Sequence, residues 1–269
     1  YYGWIFVSTH VNRTFLVWRE NPGMHSIDTS ASGSCPDWRH RTALLVGNQG
    51  LDRLAQARVV VVGLGGVGSY CAEALARAGV GSLVLVDGDS VSRTNINRQL
   101  LALVDTVGLP KAEVMADRIR RINPECDVAP MVMWVDRGNV DQLLAPGPHP
   151  VQYVADAIDT IPAKLDLIEA CLRSGVGAVS SMGAGNRLDP TRFRVADISQ
   201  THTCPMARAV RQGLRSRGIR SGLTVVFSDE PPVARRPGPV GSISMVPGAA
   251  GLAMAGAIIR HLAFASPES

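Results

Sequence analysis

The sequence predicts an α/β fold: a doubly wound, mostly parallel sheet with a C-terminal extension. Two observations carry this. The β-branched run Val59-Val60-Val61-Val62 leads through a glycine-rich turn, Gly63 to Gly68, into a stretch with helical spacing. Short apolar runs and helical stretches then keep alternating, the pattern of strand–helix–strand crossovers. Taken in order, Arg41 to Ala57 reads as a helix with a break near Gly47 to Gly50. Val59 to Val62 suits a strand buried on both faces. Ser69 to Ala78 has helical spacing and stops at Gly79, a residue suited to a left-handed helix end. Leu83 to Val86 is a second buried strand, ending in Asp87. Such crossovers are nearly always right-handed. Lys111 to Ile122 is an amphipathic helix stopped by Asn123-Pro124, and Val128 to Val135 a strand. Tyr153 to Ala157 is another strand, ending near Asp159. Pro162 to Ser174 is a helix with proline at its start, where the missing N–H costs nothing. Ala178 to Ser181 is a strand, followed by the flexible Gly183-Ala184-Gly185. Arg194 to Asp197 and Leu223 to Phe227 read as strands around a helix from Pro205 to Arg217. The Pro231-Pro232 and Arg235 to Pro239 segments form an exposed loop.

The chain has 269 residues, 46% apolar and 19% charged, enough for one large domain with a sizeable core. Residues 38–269 are expected to form that domain, with a core at 58–185 and a C-terminal part at 186–269. Residues 1–37 show no clear period and no signal-peptide pattern. They are expected to be a disordered or non-native extension, with Met24 a candidate start. The apolar run from Ile243 to Phe264 is broken by Pro247 and three glycines and ends in Arg260-His261. A core helix from about Ala249 is the reading, with a membrane span as the alternative. The five cysteines, Cys35, Cys71, Cys126, Cys171 and Cys204, are scattered without a C-x-x-C pair. That spacing argues against a disulfide framework or a cysteine zinc site and suits a reducing cytoplasm.

Gly63, Gly65 and Gly68 fit G-x-G-x-x-G between strand and helix, where backbone N–H groups and the helix dipole favour phosphate. Asp87, at the next strand end, can accept from ribose hydroxyls. To this point a nicotinamide-dependent dehydrogenase fits equally well. Thr94-Asn95-Ile96-Asn97-Arg98-Gln99 shifts the balance. A guanidinium beside phosphates serves nucleotidyl transfer, offsetting charge on a departing pyrophosphate; the plain alternative is a surface salt bridge. Lys111 opens a helix, where a cation opposes the macrodipole. A nearby triphosphate explains it, as does simple solvation. Asp159 follows a strand end, where a carboxylate can hold Mg²⁺ bridging phosphates. Asp156 lies nearer the strand interior and reads as an orienting group.

Together Gly-Leu-Gly-Gly-Val-Gly-Ser at 63–69, Thr-Asn-Ile-Asn-Arg-Gln at 94–99, Gly-Leu-Pro-Lys-Ala-Glu at 108–113 and Asp-Ala-Ile-Asp at 156–159 resemble the ubiquitin-activating-like adenylyltransferase superfamily. Its members activate a carboxylate as an acyl adenylate on a Rossmann-like sheet. Ser180 to Ala184, Asp189-Pro190-Thr191, Ile198 to Thr203 and Phe227 to Glu230 resemble the subgroup that dehydrates threonylcarbamoyladenosine in tRNA. The resemblance implies ATP and Mg²⁺ as cofactors, tRNA carrying that nucleoside as partner, and a homodimer. It leaves a sulfur-relay protein open as a further partner. It also implies roles. Gly63, Gly65, Gly66 and Gly68 would cradle the nucleotide, and Asp87 would hold the ribose. Asn95, Arg98, Gln99 and Lys111 would contact phosphates, Asp159 would bind the metal, and Arg41 would reach the phosphates of the other subunit.

Cys204 stands where the subgroup commonly has an acid. It reads as a tolerated loop residue or as a working thiol, whose pKa His202 would lower if the two approach. Arg208, Arg211 and Arg215 share a helix face that would track a tRNA backbone, or be an ordinary solvated face. Three other readings remain at this level: an adenylyltransferase for a ubiquitin-like sulfur carrier, a non-catalytic nucleotide-binding scaffold, and the nicotinamide-dependent oxidoreductase.

Overall fold

The computed structural model describes residues 6–7, 15–16, 37–145, 149–233 and 240–265. Most of the extension expected at 1–37, including Met24 and Cys35, and the Arg235 to Pro239 segment lie outside the described residues. The chain divides into two units, Tyr1–Gly33 and Ser34–Ser269. In the first, β1 (Phe6–Val7) pairs antiparallel with β2 (Phe15–Leu16).

The second unit holds a seven-stranded sheet. In chain order its strands are β3 (Arg58–Val62), β4 (Ser82–Val86), β5 (Asp127–Met131), β6 (Tyr153–Asp156), β7 (Gly177–Ser181), β8 (Phe193–Asp197) and β9 (Thr224–Ser228). The spatial order is β5-β4-β3-β6-β7-β9-β8. All pairs are parallel except β8 with β9. Strand order therefore reverses between β3 and β6, the crevice where such sheets bind ligands. The expected mostly parallel, doubly wound sheet is present.

Seven helices complete the described fold: α1 (His40–Gln56), α2 (Gly68–Ala78), α3 (Lys111–Ile122), α4 (Val140–Leu143), α5 (Ile161–Ser174), α6 (Pro205–Ser216) and α7 (Met245–Phe264). Alternation along β3 divides the core. Val59 and Val61 pack with α2, α3 and α7 residues such as Leu75, Ile119 and Met254 on one face. Val60 and Val62 face Leu167 and Cys171 of α5 on the other. A further cluster, with Val210 and Leu214 of α6 against Phe227, extends that second face.

Helix boundaries follow local chemistry. Gly47, with φ 71°, breaks α1 inside the expected window. Gly79 ends α2 with φ 94°, a left-handed conformation that glycine adopts without Cβ strain. Two boundaries differ from expectation by more than one residue. β5 stops at Met131 because β4, its one partner, ends opposite it at Val86. The predicted continuation to Val135 turns instead: Asn139 Nδ2 donates to Trp134 O at 2.8 Å. Helix α7 starts at Met245, four residues before the expected Ala249, since Pro247 sits in its first turn where no N–H is needed.

Among the described residues α7 alone is long and apolar enough to cross a membrane, and half of its most apolar window is buried inside the protein. Gly251 explains the fit: a Cβ there would lie 2.2 Å from Val67 O, so the helix backbone packs directly on α2.

Asp156 does orient structure. Its Oδ2 accepts from Lys164 Nζ at 2.7 Å and from Ser180 Oγ at 2.6 Å. Both charged side chains are almost fully buried, at 1% and 0% exposure. The trio pins α5 to the ends of β6 and β7. Removing one partner strands the other charge, so Asp156→Ala is expected to cost about 3–5 kcal/mol. Equilibrium urea unfolding checks this, and a loss below about 1 kcal/mol contradicts a buried paired charge.

Candidate active site

A cavity of about 720 Å³ opens where β3, β4, β6 and β7 end. Its nucleotide end forms from the glycine turn. Gly63 has φ 85°, and a Cβ there would stand 2.8 Å from Ala157 O, so the turn crosses β6 only as glycine. Gly65 presents its backbone to the cavity, with only Gln99 Nε2 near the position of a Cβ. Gly63, Gly65 and Gly66 line the cavity. Gly68 does not; a Cβ on it would lie 1.7 Å from Gly63 O, so it closes the helix onto the strand.

The turn is bound to its surroundings on two sides. Asp87 Oδ2 accepts from Leu64 N at 2.6 Å, and its Oδ1 accepts from Asp89 N at 2.8 Å. Each oxygen keeps capacity for a further donor. Ser69 Oγ donates to Gly65 O at 2.6 Å and accepts from Leu100 N at 3.2 Å. Ser69 thus couples the glycine turn to the Asn-Arg-Gln segment.

Asn95, Arg98 and Gln99 all line the same cavity. Asn95 Oδ1 accepts from Ser92 N at 3.0 Å, fixing the short helical turn. Arg98 Nη1 donates to Thr94 O at 2.7 Å and Asn97 Oδ1 at 3.0 Å. No carboxylate among the described residues pairs with Arg98, so the salt-bridge alternative is absent there. Gln99 is buried, and its Oε1 has no hydrogen-bond partner.

Lys111 lies at the start of α3, only 5% exposed. Its Nζ donates to Asp89 Oδ2 at 2.7 Å. Backbone pairing holds the two together, with Lys111 N donating to Asp89 O at 3.0 Å. The unfavourable helix-end cation is therefore answered by Asp89, a residue that sequence reasoning passed over. The signal was present: a second acid two residues after Asp87. Asp159 is exposed on the cavity wall, with Thr160 Oγ1 donating to its Oδ1 at 3.3 Å. Arg41 is exposed on α1 and is not among the cavity-lining residues of its own chain.

The far end of the cavity is lined by Gly183, Gly185, Arg187, Cys204 and Met206. Cys204 is buried there, at 3% exposure. Thr203 holds φ 60°, rare for a β-branched residue, and this turn brings Cys204 N back to donate to His202 O. His202 does not serve the thiol. Its ring meets Phe227 edge-on at 5.3 Å, and its Nδ1 lies 3.0 Å from Thr203 Oγ1. Burial pushes the Cys71, Cys126 and Cys171 thiols up to about 12, helped at Cys126 by Asp127 and at Cys171 by Asp156. These three stay protonated near neutrality and are inert.

The basic stripe on α6 divides. Arg208 and Arg215 are exposed, but Arg211 Nη1 donates to Thr201 O at 2.8 Å. Arg217 is paired with Asp166 at 2.7 Å and Glu169 at 2.6 Å.

The ThiF family profile matches residues 39–268. The chain belongs to the ThiF family. Over 239 residues it is 45% identical to the tRNA threonylcarbamoyladenosine dehydratase of Bacillus subtilis (strain 168), covering 82% of this chain and 93% of that protein. It is 46% identical over 203 residues to the protein of that name from Escherichia coli (strain K12), covering 72% and 75%. The crystal structure of E. coli tRNA N6-threonylcarbamoyladenosine dehydratase, TcdA, in complex with ATP is similar with a TM-score of 0.78 at 42% identity, covering 85% of this chain and 96% of that one.

In this ThiF-family chain Gly63 combines a positive φ with a close backbone approach at the cavity. Gly63→Ala adds a Cβ against Ala157 O in a left-handed conformation. It is expected to lower ATP affinity by about tenfold or more. Calorimetric titration with ATP checks this, and unchanged affinity contradicts the assigned turn.

Proposed function

We propose that the chain is an ATP-dependent enzyme that cyclises threonylcarbamoyladenosine in tRNA, with net loss of water, through an acyl adenylate. The observation that supports it most is one cavity lined by the glycine turn, by Arg98 and Lys111, and by the Gly183 to Arg187 segment with the start of α6. The likeness to relatives named as dehydratases of this nucleoside supports the substrate.

In this reading Gly63, Gly65 and Gly66 let the nucleotide approach the backbone, and Gly68 sets the helix behind them. Asp87 accepts from the ribose hydroxyls. Asn95, Arg98, Gln99 and Lys111 face the phosphates, and ATP draws Lys111 away from Asp89. A carboxylate is a poor electrophile, and adenylation gives it a good leaving group. A carboxylate oxygen of the substrate attacks the α-phosphorus, and pyrophosphate leaves. An internal carbamoyl nitrogen or oxygen then attacks the activated carbonyl carbon. AMP departs with the original carboxylate oxygen, and the ring closes. Arg98 and Lys111 offset the charge that develops on the pyrophosphate.

A divalent cation fits the residues present. Asp159 is an exposed cavity carboxylate with no cationic partner among the described residues, and Mg²⁺ takes one or two carboxylates beside phosphate oxygens. When bound, the ion would neutralise phosphate charge. In a homodimer, Arg41 of the partner subunit would add a further cation from its exposed position on α1. The reading carries 38–269 as the catalytic domain and a reducing cytoplasm as its compartment.

The test is ATP turnover with tRNA that carries or lacks threonylcarbamoyladenosine, followed by nucleoside mass analysis. AMP is expected only with the modified tRNA, with a nucleoside lighter by one water. Arg98→Ala is expected to lower kcat by about a hundredfold or more. ATP binding with an unchanged nucleoside contradicts the reading, and AMP formation on a carrier-protein C-terminus would replace it.

A further inference from the structure

Arg187 is the cation that neither the glycine turn nor the Asn-Arg-Gln segment accounts for. It lines the far end of the cavity and is 3% exposed. Its Nε donates to Glu230 O at 3.2 Å and its Nη1 to Gly185 O at 3.3 Å. Nη2 is buried and has no partner. Among the described residues no carboxylate pairs with this guanidinium. Glu230, whose backbone carbonyl meets Arg187, has its carboxylate engaged elsewhere: its Oε2 accepts from Asp189 N at 3.0 Å and its Oε1 from Leu188 N at 3.1 Å. A buried guanidinium with an unmet donor and no counter-charge is costly, and such a cost is met where a ligand supplies the anion.

The surroundings hold Arg187 in place. Asn186 takes φ 56°, which asparagine tolerates. Its backbone N donates to Gly241 O at 2.8 Å, and its Oδ1 accepts from Gly241 N at 2.8 Å. A Cβ on Gly183 would lie 3.5 Å from Met206 Cβ, 3.6 Å from Cys204 Sγ and 3.9 Å from Arg187 Nη1. Gly183, Arg187 and the start of α6 therefore form one wall. The positive end of the α6 dipole adds to the same field.

We propose that Arg187 binds the carboxylate of the acceptor and presents it to the α-phosphate. The assignment rests on the carboxylate-activating reading above and deepens it. Its ligand class is a carboxylate attached to a small polar group. Arg98 and Lys111 serve the nucleotide phosphates from the other end. With Arg187 on one wall of the cavity and Arg98 and Lys111 on another, the anionic acceptor and the anionic nucleotide are each held by their own partner rather than repelled.

The test is binding of N-carbamoyl-L-threonine to the AMP-loaded full chain, followed by saturation-transfer NMR, with its methyl ester as the uncharged control. It needs no tRNA and no turnover, so it stands apart from the nucleoside assay. The wild type is expected to bind the acid at least about tenfold more tightly than the ester. Arg187→Gln is expected to lose that preference while AMP affinity stays the same, and Arg187→Lys to keep part of it. Equal binding of acid and ester by the wild type, or binding of neither, overturns the assignment. So does a fall in AMP affinity with Arg187→Gln as large as the loss for the acid, which would make Arg187 a nucleotide-phosphate residue.

Discussion

Asp87, the residue after β4, has both carboxylate oxygens accepting backbone hydrogen bonds, from Leu64 N at 2.6 Å and Asp89 N at 2.8 Å. The first bond ties the glycine turn to the neighbouring strand end. The second fixes the segment whose Asp89 pairs with Lys111. The geometry of the nucleotide end therefore hangs on one buried side chain at the carboxyl end of β4, the strand beside β3. That location follows from topology: carboxyl ends of parallel strands leave backbone groups and loop residues free to meet a ligand. Ser69 adds the link to Leu100, so turn, strand end and cation segment form a single connected frame.

The second half of the sheet supplies the other end of the cavity. The buried Asp156–Lys164–Ser180 trio sets the ends of β6 and β7, from which the Gly183 to Arg187 segment departs. Burying this pair is no strong gain in stability by itself, because desolvation offsets most of the attraction. Its value lies in fixing α5 against two strands in one arrangement. Helix α6 then brings Cys204 and its positive end to the same wall. Thr203 carries backbone strain to do so, and strain of this kind persists only where the surrounding structure holds it.

Much of this was legible in the sequence because local physics dominated. The valine run of β3, the glycine turn and the proline at the start of α5 each have one favourable conformation, and each element appears near its expected bounds. The boundary errors came from tertiary context. β5 ends early because its partner strand ends, and α7 starts early because proline is tolerated in a first turn. Asp87, Arg98, Gln99 and Lys111, singled out from strand–turn–helix spacing, all line one cavity. Asp89, Ser69 and Arg187 were missed for a different reason. Their partners are set by backbone approach and by burial, and neither has a sequence period. The α6 arginines show the converse: spacing put Arg208, Arg211 and Arg215 on one face, but Arg211 turns inward to Thr201, while Arg217 beyond them pairs with the α5 acids.

In the proposed reaction a substrate carboxylate is adenylated before the ring closes. Oxygen tracing tests it directly. The wild-type protein would be given ATP and tRNA whose threonylcarbamoyladenosine carries ¹⁸O in its carboxylate, and the released AMP would be analysed by mass. An acyl-adenylate route predicts one ¹⁸O in AMP for each ring closed, because the departing oxygen began in the carboxylate. Cyclised nucleoside with unlabelled AMP would contradict it.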